Sequence, residues 1–164
     1  MKVTKVPGCI IREATGKDVQ LVLNFIKSLA RYEKLEDQVT VTLEVLYDSL
    51  FVKHAAKALI AELSGMPVGF AIYYYSFSTF LGKQGLYLED LFVVPDMRGR
   101  GIGTALLSYL AEMAVEQGME RLEWTCLDWN TSSLDFYHHL GAIPMSDWTN
   151  QRMTGEALKE LAKR

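Results

Sequence analysis

Apolar residues recur every three or four positions in two long stretches of this chain, and this spacing predicts two amphipathic helices. The first stripe consists of Val19, Val22, Leu23, Ile26, Leu29 and Ala30. The second consists of Ile102, Ala105, Leu106, Tyr109, Leu110, Met113 and Ala114. Thr15 and Asp18 have capping-box spacing before the first helix, and Gly118 suits the C-cap of the second. Shorter helices are predicted over residues 43–52, 131–140 and 154–163.

Alternating apolar and polar positions predict strands in the remaining segments. A short first strand is expected at residues 10–12, and two further strands, 58–63 and 68–77, flank a turn at 64–67. Another follows at 86–94, and Leu122, Trp124 and Cys126 alternate as the last. Strands and helices alternate in the second half of the chain, which predicts an α/β fold.

The strand at residues 86–94 changes phase in its middle. Leu86 and Leu88 are apolar on one face, but Asp90 falls where the alternation requires another apolar residue. A β-bulge near Glu89 and Asp90 would reset the register and separate this strand from its neighbour. A fully buried strand without a bulge is the alternative interpretation. Pro95 ends the strand, because proline cannot donate a ladder hydrogen bond.

Composition is typical of a single globular domain covering residues 1–164. The chain has 164 residues, of which 49% are hydrophobic, and a formal net charge of −3. This charge argues against a nucleic-acid partner and favours a cationic one. Glu62, Ser64, Gly65 and Pro67 interrupt the apolar run at 58–77, so we expect a hairpin there and no membrane span. Without a signal peptide, a cytoplasmic location with reduced cysteines is expected.

A glycine-rich turn, Arg98-Gly99-Arg100-Gly101-Ile102-Gly103, joins the phase-changing strand to the second long helix. Glycine permits positive φ, and the unpaired N–H groups of a helix start attract anions. The two arginines add donors suited to phosphate. The spacing fits neither a P-loop nor the dinucleotide-binding fingerprint. It therefore predicts a different pyrophosphate-binding turn, with a glycine-rich turn that binds nothing as the alternative.

The pattern Arg-x-x-Gly-x-Gly, after a strand and before a helix, resembles motif A of the GNAT acetyltransferase superfamily. A second stretch, with Asn130 and then Phe136-Tyr137 before Gly141, resembles its motif B. The resemblance implies a mixed central sheet flanked by helices, with two strands splayed around acetyl-CoA. It assigns the pyrophosphate to Arg98, Gly99, Arg100, Gly101, Ile102, Gly103 and Thr104. It assigns the thioester carbonyl and pantetheine arm to the N–H groups of Leu91, Phe92, Val93 and Val94 and to Asn130, Ser133 and Phe136.

Acetyl transfer to an amine requires groups that move protons. An alkyl ammonium, with a pKa of about 10.4, must first lose its proton. Glu89 is the candidate base, although Glu89 and Asp90 could also be solvated turn charges. Tyr137 is the candidate acid for the departing thiolate; alone, it would be interpreted as a core tyrosine. Cys126 could instead act as a nucleophile in ping-pong chemistry, but its alternation with Leu122 and Trp124 favours a buried core residue.

Further stretches, including Ala30-Arg31-Tyr32-Glu33 and Tyr87-Leu88-Glu89-Asp90, resemble spermidine/spermine acetyltransferases and their thialysine-acetylating relatives. The resemblance implies that Tyr32, Glu33, Glu89, Asp90 and Trp148 bind a cationic amine, and that the protein is a homodimer. The chain departs from that pattern in three places. Phe80 replaces a tryptophan, the acidic residue before Trp148 corresponds to Ser146 or Asp147 depending on the alignment, and the C-terminal segment aligns poorly.

The sequence therefore predicts an N-acetyltransferase that transfers acetyl from acetyl-CoA directly to a small primary amine in a ternary complex. A polyamine, a diamine and a lysine- or thialysine-like molecule remain open as substrates. The alternatives are a protein or ribosomal acetyltransferase and a non-catalytic acetyl-CoA sensor.

Overall fold

The computed structural model describes residues 1–164 and divides into two compact units, Met1–Thr125 and Cys126–Arg164. The elements of the first unit are β1 (Lys2–Val3), β2 (Cys9–Glu13), α1 (Val19–Tyr32), α2 (Leu43–Tyr47), β3 (Lys57–Leu63), β4 (Met66–Ser78), β5 (Lys83–Val93), α3 (Ile102–Glu116) and β6 (Leu122–Trp124). The second unit contains α4 (Thr131–His139) and α5 (Gly155–Ala162). The single domain over 1–164 stays a prediction.

The strands form one six-stranded sheet in sequence order, β1 to β6. Strands β1 to β5 are antiparallel to their neighbours, whereas β6 pairs with β5 in parallel. A parallel pair requires a crossover, and α3 supplies it. The predicted α/β class with a mixed sheet is confirmed.

Three sequence-based boundaries need correction. The strand predicted as the first is β2, because Lys2 and Val3 pair with Ile11 and Ile10 as β1. The turn between β3 and β4 contains only residues 64–65, since Met66 and Pro67 already pair with β3. Cys126 lies beyond β6, which ends at Trp124, and it is half-buried. The alternation therefore extended the last strand too far.

The predicted helices are present, with one change of pitch. The Thr15 N–H donates to the Asp18 carboxylate (2.7 Å) at the predicted capping box, and α1 follows. The helix predicted over 43–52 begins as α2 and continues as a π-helical turn, Asp48–Val52. The C-cap of α3 is Gln117, one residue before the predicted Gly118, which follows it with φ +71°. No helix has the length and apolar content that a bilayer crossing demands.

Each face of the sheet has its own packing partner. On one face, Phe25 of α1 stacks on Phe70 of β4, with ring centroids 5.2 Å apart. On the other face, the Tyr73 hydroxyl donates to the sulfur of Met113 in α3 (3.7 Å). Strand residues alternate between the faces. Positions 70, 72 and 74 of β4 therefore lie on the α1 side.

Candidate functional site

Strand β5 contains the predicted bulge. Ile72 of β4 pairs with Asp90, but the next residue, Tyr73, pairs with Leu88, so Glu89 has no partner in the ladder. The bulge moves Asp90 off the face of Leu86 and Leu88, where the alternation expects an apolar residue, and onto the face of Ile72. This confirms the register change predicted from the sequence and excludes the regular buried strand.

Beyond the bulge, one edge of β5 has no neighbouring strand. The parallel pairing with β6 covers only Leu86, Tyr87 and Leu88. The Val94 N–H donates to the Val68 carbonyl on the β4 side (2.9 Å). Because N–H directions alternate along a strand, those of Leu91 and Val93 point toward the open edge.

This geometry corrects part of the predicted cofactor contacts. The Val94 N–H is already bonded to β4, and the Phe92 N–H points the same way by alternation. The Phe92 side chain is also buried, and its ring centroid lies 6.3 Å from that of Phe25. Of the four predicted N–H donors, only those of Leu91 and Val93 face the opening.

The glycine-rich turn leads into α3 with the geometry that its composition predicts. Gly99 and Gly101 have φ of +73° and +82°, a conformation that costs an L side chain about 1–2 kcal/mol. The first intrahelical bond runs from the Ala105 N–H to the Gly101 carbonyl (2.9 Å). The N–H groups of Ile102, Gly103 and Thr104 therefore have no intrahelical acceptor. Arg100 is exposed beside them.

Arg98 does not extend from this turn as an isolated cation. Its Nε donates to the Val93 carbonyl (2.9 Å), and its guanidinium carbon lies 4.5 Å from the centroid of the Tyr32 ring. A cation over an aromatic face is attracted by the ring quadrupole. Arg98 thus links the end of α1 to the open edge of β5. This contact joins a residue predicted to bind the cofactor to one predicted to bind the amine.

A pocket of about 360 Å³ opens around this contact. Its walls are Phe25, Ser28, Arg31, Tyr32, Phe92, Val94, Pro95 and Arg98. It is mainly apolar, with two arginines, Arg31 and Arg98, among its lining residues.

Three carboxylates lie close together near the bulge. Burial, together with the charges of Glu89 and Glu33, raises the pKa of Asp90 to about 6. Burial also raises the pKa of Glu33 at the end of α1. Like charges in a partly desolvated site favour binding of a cation, because a positive group relieves their repulsion. The sequence anticipated these residues, but not the difference between half-buried Asp90 and exposed Glu89.

Two aromatic contacts were missed by sequence reasoning. One is the stack of Arg98 on Tyr32. The other joins Tyr74 and Tyr87, which pair across β4 and β5 with ring centroids 5.0 Å apart. The run of aromatic residues in β4 was a signal for the second contact, but their partners depend on the register.

The second unit contains the remaining predicted residues. The Asn130 side chain accepts from the Ser133 N–H (3.4 Å) and caps α4. On α4, the rings of Phe136 and Tyr137 lie 5.3 Å apart. Trp148 is 74% exposed in the segment after α4.

Comparison with known proteins identifies the family of this chain, and the family model and the relatives agree. The acetyltransferase (GNAT) family model matches residues 23–142. Thialysine N-epsilon-acetyltransferase of Bos taurus is 39% identical over 165 residues, covering 93% of this chain and 96% of that protein. The enzyme of the same name from Caenorhabditis elegans is 33% identical, covering 90% and 93%. The structure of a Vibrio cholerae integron cassette protein superposes with a TM-score of 0.81 at 27% identity, covering 96% of this chain and 99% of that one.

Proposed function

This chain belongs to the acetyltransferase (GNAT) family and is an acetyl-CoA-dependent N-acetyltransferase, and we propose that its acceptor is a primary amine of a small cationic molecule. The proposed class comprises polyamines, diamines and lysine- or thialysine-like molecules. The observation that carries the proposal is the cluster of Glu33, Glu89 and Asp90 beside the open edge of β5. The names of the thialysine-acetylating relatives support it.

The first unit offers donors that fit acetyl-CoA. The N–H groups of Ile102, Gly103 and Thr104 suit a pyrophosphate, and glycine at 99 and 101 keeps the turn free of side-chain bulk. The Leu91 and Val93 N–H groups suit the amides of a pantetheine arm or a thioester carbonyl. Acetyl-CoA supplies the acetyl group as an activated thioester.

We propose direct transfer within a ternary complex. A carboxylate of the bulge, Glu89 or Asp90, accepts the proton of the substrate ammonium, directly or through water, so that the neutral amine can attack the thioester carbon. The Leu91 N–H donates to the oxygen on which negative charge develops. A C–N bond then forms, the nitrogen loses its second proton to water, and the C–S bond breaks. The departing sulfur receives a proton from Tyr137, a role that rests on the motif B resemblance.

Replacing Tyr137 with Phe tests that role. General acid catalysis contributes about 10²–10⁴-fold, so we expect kcat to fall by about a hundredfold. The dissociation constant of acetyl-CoA should stay within twofold, because the ring remains. Stopped-flow kinetics and calorimetry measure the two quantities, with Tyr47→Phe as the matched control. An unchanged kcat would remove Tyr137 from the mechanism.

An amine panel tests the proposed acceptor class. CoA release is measured with putrescine, cadaverine, spermidine, lysine, thialysine and a peptide that begins with alanine. We expect turnover with one or more small cationic amines and none with the peptide. Turnover with the peptide alone would favour the protein-acetyltransferase alternative.

A variant that removes one carboxylate tests whether the acidic cluster of Glu33, Glu89 and Asp90 binds the amine. Glu33→Gln should raise KM for the preferred amine about five- to tenfold and leave the acetyl-CoA dissociation constant unchanged. The matched control is Asp37→Asn, which removes an exposed carboxylate outside the cluster. Equal KM values in Glu33→Gln and the wild type would contradict the assignment.

A further inference from the structure

A stacked tyrosine pair lies beside the acidic cluster and has no role in the chemistry described above. Tyr74 of β4 and Tyr87 of β5 are paired residues, and their rings are 28° from parallel with centroids 5.0 Å apart. Both side chains are half-buried. Each ring therefore contacts the other and keeps part of its surface accessible.

The sheet register brings this pair to the same face as Asp90. Asp90 pairs with Ile72, and Tyr74 follows Ile72 by two positions, so all three side chains share the α1 side of the sheet. Two residues of a strand span about 7 Å. Along β4 the Tyr74 α-carbon is therefore about 7 Å from that of Ile72, the partner of Asp90, and the tyrosine pair lies on the other side of the bulge that presents Glu89.

The electrostatics of the pair favour a cation. Burial raises the pKa of Tyr74, and the nearby charge of Glu89 raises it further. The phenol therefore stays neutral, and its ring lies in the negative potential of a carboxylate. An aromatic face attracts ammonium groups and also packs against alkyl chains.

We propose that the Tyr74–Tyr87 pair binds the second ammonium group of an extended acceptor while the first is acetylated beside Asp90 and Glu89. The pair then determines specificity: it favours a diamine over a monoamine with the same carbon chain. This inference rests on the proposed function, because it assumes that the acidic cluster receives the reacting amine.

The test compares cadaverine with pentylamine, which has the same five-carbon chain and lacks the second ammonium group. Tyr74→Leu keeps an apolar side chain and removes the aromatic face. We expect KM for cadaverine to rise about tenfold and KM for pentylamine to change less than about twofold, at unchanged kcat. Tyr87→Leu should have the same effect, and Tyr74→Phe, which keeps the ring, should resemble the wild type.

Tyr75→Leu is the matched control, because Tyr75 is also on β4 but faces the opposite side, where it contacts Tyr73. Calorimetry with acetyl-CoA and the melting temperature show that each variant is folded. A cadaverine-to-pentylamine ratio that stays at the wild-type value in both Leu variants would overturn the proposal. So would loss of the preference in Tyr74→Phe, because the hydroxyl and not the ring would then carry it.

The two proposals fail in different ways. If the wild type acetylates neither amine nor any other small cation of the panel, the proposed function is wrong and this inference falls with it. If the wild type acetylates cadaverine and the Leu variants keep its advantage over pentylamine, only the role of the tyrosine pair is wrong.

Discussion

Two adjacent side chains at the bulge have similar chemistry but different exposure and surroundings. Glu89 and Asp90 are adjacent carboxylates, yet the bulge leaves Glu89 exposed and turns Asp90 toward the α1 side. Burial next to Glu89 and Glu33 then raises the pKa of Asp90. A proton acceptor works best when its pKa approaches the working pH. The raised pKa therefore suits Asp90 to this role, although the sequence made Glu89 the candidate base.

The pKa of Asp90 predicts how kcat/KM depends on pH. Its pKa of about 6 means that the ionised form is lost as the pH falls through 6, whereas an amine substrate stays protonated throughout that range. We expect kcat/KM to fall below pH 6 in the wild type. Asp90→Asn should lower kcat/KM at pH 8 and abolish that inflection. Asp37→Asn is the control, and an inflection that persists in Asp90→Asn would assign it to another group.

The raised pKa of Asp90 also predicts that Asp90→Asn stabilises the protein. The folded state holds the Asp90 proton more tightly than the unfolded state, so ionisation of this group destabilises the protein as the pH rises from about 4 to 6. Asp90→Asn should therefore raise the free energy of unfolding at pH 8 by about 1–3 kcal/mol and have a smaller effect at pH 4. Urea denaturation at both pH values measures the difference.

Tyr32 has two candidate roles that one pair of variants separates. The resemblance makes it an amine-binding residue, whereas its ring lies against the guanidinium of Arg98. If it supports the turn, Tyr32→Leu should raise the acetyl-CoA dissociation constant about five- to tenfold, and Tyr32→Phe should not, because the cation–π contact persists. A rise in KM for the amine at unchanged acetyl-CoA affinity would favour the first role.

At the scale of elements, α3 has positive-φ glycines close to both of its ends. Gly99 lies in the turn before it, and Gly118 follows it, with φ of +73° and +71°. A Cβ at either position meets no atom within 4 Å. The two sites are therefore matched in strain and differ in their proximity to the predicted pyrophosphate site.

This match permits a controlled experiment. Gly99→Ala and Gly118→Ala should each lower the free energy of unfolding by about 1 kcal/mol, because alanine is strained at positive φ. Only Gly99→Ala should weaken acetyl-CoA binding, since it alters the turn that leads to the unpaired N–H groups. Denaturation and calorimetry measure the two effects. Equal acetyl-CoA affinity in the two variants would contradict the assignment of the turn.

At the scale of the whole molecule, one arginine joins three segments of the first unit. Arg12 of β2 forms two hydrogen bonds with Asp18 before α1 (2.8 and 2.9 Å) and one with Glu62 of β3 (2.7 Å). These contacts hold the pKa of Asp18 well below its usual range, chiefly through the side-chain hydrogen bond. The hydrogen bonds of Arg12 therefore attach the start of α1 to the sheet that contains the candidate site.

Arg12→Met should therefore destabilise the fold by about 2–4 kcal/mol at pH 7, because it leaves two half-buried carboxylates without their cation. The lowered pKa means that Asp18 stabilises the protein above pH 4 and that this contribution is lost on acidification, so the difference should shrink at pH 3. Arg31→Met is the control. Its ion pair with Glu36 is exposed, so we expect less than about 0.5 kcal/mol.

The oligomeric state and the cellular location stay predictions. The resemblance implies a homodimer, which light scattering on the purified protein would measure as a mass of twice 18.5 kDa. The cytoplasmic location was inferred from composition and the N-terminal sequence, and fractionation would test it.

The sequence alone determined the features that depend on near neighbours along the chain. Periodicity located the helices, the glycine pattern located the positive-φ turn before α3, and the interrupted alternation at Glu89 and Asp90 indicated the bulge. Each of these patterns predicts the structure of the same few residues that form it, because helix pitch, strand alternation and glycine φ are local properties.

Only the tertiary structure decided which distant residues meet. The Arg98–Tyr32 contact and the Tyr74–Tyr87 stack join residues from different elements, and both depend on register and packing. The pairing of Val94 with Val68 likewise decided which N–H groups face the opening. Burial of Asp90 depends on these placements too, and a pKa responds to the surroundings of a group, which a linear pattern does not contain.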